Sequence, residues 1–144
     1  MANTFNRVIL EEGWRNVAVM VTGLLDTSDA ALEPVIDPSE LYNNDPNYGR
    51  LAGFRVDRVQ YSMSAGTGLE VQLKWERAAE EGGDILITAI AGQGHDKYKK
   101  FGGLQPPLSA PGVTGGIHLY TTGFAKSPPP TGFTVTLELV KIYR

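Results

Sequence analysis

Leu69-Glu-Val-Gln-Leu-Lys-Trp-Glu76 decides the fold class. Leu69, Val71, Leu73 and Trp75 alternate with Glu70, Gln72, Lys74 and Glu76, so one side of the extended chain is apolar and the other is wet. That period of two belongs to a strand, because a helix needs apolar residues three and four apart. The segment predicts a half-buried strand with Trp75 in the core.

Working outward, the same alternation returns in Phe133, Val135, Leu137 and Leu139, set between Thr134, Thr136 and Glu138. Asn16–Leu24 is apolar on both parities apart from its polar start and Thr22, which predicts a central strand covered on two sides. Ile85–Ala91 reads the same way. Phe54 and Val56 share one parity while Val59, Tyr61 and Met63 share the other; a β-bulge near Arg58 keeps all of them facing inward. Arg7–Leu10 and Ile117–Thr122 are further strand candidates. Turn residues separate these runs: Gly13, Ser64–Gly68, Gly82-Gly83, Gly102-Gly103, Gly112, Gly115-Gly116 and Pro128–Pro130. Short strands with frequent turns predict an all-β, antiparallel β-sandwich, jelly-roll-like.

Helix is confined to one or two single turns at most. Asp37-Pro-Ser-Glu40 carries an N-cap, a proline at the first position and a following acid, and Glu76–Glu81 is the second candidate. The whole chain, 1–144, reads as one domain with a short N-terminal arm over about residues 1–5 and a long loop at 32–51.

Composition narrows the function classes. Thirteen basic against sixteen acidic residues give a net charge of −3, without the concentrated basic face of a nucleic-acid binder. With no cysteine, disulfides, thiolate chemistry and cysteine-bound zinc are absent. The most apolar stretch, Ile85–Ala91, is too short to span a bilayer, and Met1–Trp14 lacks the basic start and apolar core of a signal peptide. No membrane association and synthesis in a cytoplasm are the expectations.

Chemistry-bearing patterns are equally sparse. His95 and His118 are the only histidines; His95-Asp96 has no third ligand at a useful spacing, and His118, between Ile117 and Leu119, reads as a polar residue on a wet face. Asp26–Asp29 and Asn43–Asp45 supply loop oxygens of the kind calcium takes, but without the spaced ligand ladder, so turn-making is the better account. Ser62 and Ser64 lie in no nucleophile elbow. Glu70 and Glu76 are what alternation puts on a solvated face, and Gly92-Gln-Gly94 lacks the third glycine of a dinucleotide loop. Lys97, Lys99 and Lys100 read as a charged sheet edge. The expectation is a non-enzymatic protein with no cofactor and no metal.

Three stretches carry a resemblance. Asn6–Asp29 (NRVILEEGWRNVAVMVTGLLDTSD), Phe101–Pro107 (FGGLQPP) and Gly112–Phe124 (GVTGGIHLYTTGF), closed by Phe133–Lys141, resemble a family of small tailed-bacteriophage virion proteins. The likeness covers most of the chain and is weakest at Leu32–Leu51 and Glu76–Asp84. It implies a capsid decoration or cement protein, made in the host cytoplasm and placed on the capsid surface. Such a protein binds the major capsid protein and bridges capsomers to stabilise the particle. A homo-oligomer is expected, with a trimer favoured. A tail or baseplate accessory subunit and a carbohydrate-binding module are the alternatives. Exposed rings, lysines and stiff prolines in the irregular segments are the candidate contacts: Phe5, Trp14, Tyr42, Tyr48, Lys97, Tyr98, Pro128 and Pro129.

Overall fold

Alternation of apolar and polar residues becomes two antiparallel sheets packed face to face. The computed structural model describes residues 3–25, 29–41, 44–45, 49–63, 70–123 and 131–144. Its strands are β1 (Thr4–Glu12), β2 (Asn16–Leu25), β3 (Glu33–Ile36), β4 (Asn44–Asp45), β5 (Gly49–Met63), β6 (Glu70–Arg77), β7 (Ile85–Ile90), β8 (Gln93–Lys97), β9 (Val113–Thr122) and β10 (Thr131–Tyr143). One sheet runs β1-β2-β10-β5-β4, with β8 also paired to β5; the other runs β3-β9-β6-β7. Taking β2-β10-β5-β8 against β3-β9-β6-β7, the chain crosses between layers in the order of a jelly roll.

The core lies between the layers. Val17, Val19, Val21, Phe54, Val56, Val59, Val135, Leu137 and Leu139 fill it from the first sheet, and Val71, Leu73, Trp75, Ile117 and Leu119 from the second. Each fully buried aliphatic side chain contributes roughly 1.5–3 kcal/mol. The bulge expected near Arg58 is present: β10 pairs Glu138 with Arg58 and Leu139 with Val56, so Asp57 is the extra residue. Phe54, Val56, Val59 and Met63 are therefore all buried, with Tyr61 packed at the core margin. At Gly115 (φ +91°) a Cβ would lie 1.9 Å from the Ala52 carbonyl oxygen, so only glycine lets β9 pass β5 there.

Several expectations need correction. Neither Asn16–Leu25 nor Ile85–Ile90 is covered on two sides. β2 is interior within its sheet, but its outward residues Ala18, Met20 and Thr22 are half-buried, because a sandwich has only two layers. β7 is an edge strand. The presumed loop at 32–51 contains β3, whose Val35 and Ile36 are buried, and β5 already begins at Gly49; Val-Ile alone is too short to show a period. The N-terminal arm gives way to strand at Thr4. Among the described residues three single 3-10 turns form, against the one or two expected. Asp37 caps Pro38–Glu40 by accepting from the Ser39 N–H (2.9 Å), and Ala79–Glu81 forms the second. The third, Lys99–Phe101, is closed by the left-handed Gly102.

Candidate functional site

Polar side chains on the outer face of the second sheet form a connected cluster. Asp84 stands just before β7, its side chain only 3% exposed after the turn made by Gly82 and Gly83. Strand parity sends His118 and Tyr120 of β9 outward, as it sends Lys74 and Glu76 of β6. Asp84 Oδ2 accepts from His118 Nδ1 at 2.8 Å and from the Tyr120 hydroxyl at 2.7 Å, while Oδ1 accepts from the Arg77 N–H at 3.1 Å. Burial pushes the Asp84 carboxyl up, but the hydrogen bonds from Tyr120, His118 and Arg77 outweigh it and hold the group below its ordinary value. Burial first, and then the bond to Asp84, push the Tyr120 phenol up to about 12. Glu76 Oε2 lies 3.8 Å from His118 Nε2, and Lys74 Nζ sits 4.1 Å over the Tyr120 ring.

Chemically this arrangement is a clasp. Both nitrogens of His118 face carboxylates, so neither is aimed at a nucleophile. His118 is thus not a freely solvated residue as its strand position suggested: Asp84, Glu76 and Tyr120 close round it. Among the described residues no group of three or more His, Asp or Glu side chains is arranged to hold a metal ion. Asp84 carries no strand parity and is 34 residues from His118, so only the fold brings them together.

The residues expected to make contacts fall into three groups. Trp14, at the β1–β2 turn, is 55% exposed and lines an open cleft of about 290 Å³ with Arg15, Lys141 and Tyr143. Lys97 is exposed on the edge strand β8 and lines a second cleft of about 320 Å³ on the outer face of the first sheet. Arg58, directly across from Lys97, is held by Glu138 at 3.1 Å. Phe5 and Tyr98 are turned inward instead. Phe5 packs on Phe133 with ring centres 6.3 Å apart, and Tyr98 packs against the core, its N–H bound to the Asp57 carbonyl at 2.7 Å. They anchor the sandwich rather than offer a surface. Tyr42, Tyr48, Pro128 and Pro129 lie outside the described residues.

Several exposed apolar residues were not picked out from the sequence, Phe101 and Leu86 among them. Phe101 is 84% exposed at the tip of the Lys99–Phe101 turn, and Leu86 is 53% exposed on β7. The adjacent Gly102-Gly103 was a signal for the first; nothing local marked the second. No family model, no curated protein and no solved structure matches this chain.

Proposed function

We propose that this chain is a non-enzymatic structural subunit of a tailed-phage virion, a decoration or cement protein that binds the outer capsid lattice and bridges capsomers. The observation that carries the reading is the jelly-roll order of the two sheets combined with large apolar side chains left on open surface: Trp14, Leu86 and Phe101. Jelly rolls are frequent in viral capsid and lectin domains, and exposed apolar groups of this size suit a protein that ends in an assembly. The sequence likeness at Asn6–Asp29 and Gly112–Phe124 points the same way. Modest contacts suffice for such a subunit, since linked copies raise avidity about 10²–10⁴-fold.

Quantitative mass spectrometry of purified virions from the source phage tests this reading. Copies in a simple ratio to the major capsid protein support decoration. A few copies per particle move the chain to the tail or baseplate, and absence from clean particles overturns the virion role. A second reading, glycan binding, is favoured by the Trp14 cleft, where a half-exposed indole stands beside Tyr143, Arg15 and Lys141. It predicts that the isolated chain binds a polysaccharide and that Trp14→Ala abolishes binding.

A further inference from the structure

Among the described edge strands, all but one carry charge or proline. β1 carries Arg7, Glu11 and Glu12 around its exposed Val8, Ile9 and Leu10; β3 carries Glu33 and Pro34; β4 carries Asp45; β8 carries His95, Asp96 and Lys97. Charge and proline are the ordinary devices that keep an open edge from pairing with another chain. β7, Ile85-Leu-Ile-Thr-Ala-Ile90, has neither, and among the described residues no strand lies beyond it. The charges nearest to it are turned away: Asp84 is bound to His118 and Tyr120 on β9, and Lys74, paired with Leu86, reaches over the Tyr120 ring. Leu86 and Ala89 are left exposed on the outer face.

The order of side chains along β7 says what can cover it. Pairing with β6 sets Ile85 beside Trp75, Thr88 beside Leu73 and Ile90 beside Val71, all inward, and Leu86 and Ala89 beside Lys74 and Gln72, outward. Ile87 is the extra residue at the register shift and also packs on the core. The strand therefore reads in, out, in, in, out, in, which is the same from either end. Residues directly opposite in an antiparallel pair share a face. A strictly alternating strand paired with itself about the centre of this segment would set inward residues against outward ones, and the bulge removes that conflict.

We propose that β7 docks on β7 of a second copy of this chain, antiparallel about a twofold axis between Ile87 and Thr88, joining two β3-β9-β6-β7 sheets into one. Ile85 then faces Ile90 of the other copy, Leu86 faces Ala89, and Ile87 faces Thr88, with no charge opposed to a like charge. A twofold pair replaces the threefold that the sequence resemblance favoured. The pairing does not rest on the virion role, since it occurs or fails in the purified chain whatever else that chain binds.

Sedimentation velocity on the full chain tests it, with circular dichroism to check folding. The wild type sediments with the mass of two chains at high concentration. Leu86→Lys/Ala89→Lys sets lysine against lysine across the axis and removes the two-chain species. Leu86→Lys/Ala89→Glu loses the same leucine but sets opposite charges together, and keeps it. A single-chain or three-chain wild type overturns the proposal, and so does a folded double-lysine variant that retains the two-chain mass. Should the double-lysine variant not fold, the wild-type mass and the Lys/Glu variant still decide.

Discussion

β2 and β7 are both uncharged, mainly apolar strands and end in opposite situations. Asn16–Leu25 is hydrogen-bonded on one side to β1 and on the other to β10, and its inward valines are almost wholly buried. Ile85–Ile90 is bonded to β6 alone, and only Ile90 is fully buried. The first strand finds every backbone partner within its own chain. Among the described residues, the second has no partner for its other ladder of N–H and C=O groups, and the strand carries no charge. Apolarity on both faces thus records that a strand is to be covered, without recording which chain does the covering.

The largest expected effects come from breaking the covered member. Val19→Asp on β2 buries an unpaired charge, a cost of several kcal/mol against a total stability of about 5–15 kcal/mol, and should abolish the cooperative thermal transition. Trp75→Ala, in the strand between β9 and β7, should cost about 3–5 kcal/mol by urea denaturation. Asp84→Ala, at the start of β7, removes the acceptor of three hydrogen bonds and should cost about 1–3 kcal/mol. Ala89→Asp, on the open edge, should change the stability of the single chain by no more than about 0.5 kcal/mol.

The clasp at the head of β7 also sets a pH window. The Asp84 carboxyl is held below its ordinary value, so its stabilisation is present above the carboxylate range and is lost as pH falls through the lowered value. Tyr120 is raised from 10.0 to about 12, so its contribution is complete below pH 10 and is lost as pH climbs toward about 12. Tyr120→Phe should weaken the alkaline limb of a stability profile measured by urea denaturation across that range, leaving the part carried by Tyr61, which is also raised.

Much of this was legible in the sequence, and the exceptions have physical causes. Strands with clean alternation, such as Val71–Trp75 and Phe133–Leu139, appear where their period puts them, and the parity break between Val56 and Val59 put the bulge near Arg58, one residue from the extra Asp57. β3 and β8 were not legible, the first because Glu-Pro-Val-Ile is too short to show a period, the second because Gln-Gly-His-Asp-Lys has no apolar alternation at all. Backbone pairing with β5 holds β8 in place. For the polar cluster, His118 was visible as a residue opposite in parity to Ile117 and Leu119, but its partner Asp84 comes from a glycine turn and depends on topology. Of the expected contact residues, Trp14 and Lys97 are exposed, while strand direction turns Phe5 inward and core packing takes Tyr98.

Amide hydrogen exchange across a concentration series compares the two strands in one experiment. The account predicts that β2 amides are protected at every concentration. The alternate β7 amides that face away from β6 should exchange quickly in dilute solution and become protected as the chain is concentrated. Fast exchange at those β7 positions at every concentration, with β2 still protected, would contradict it.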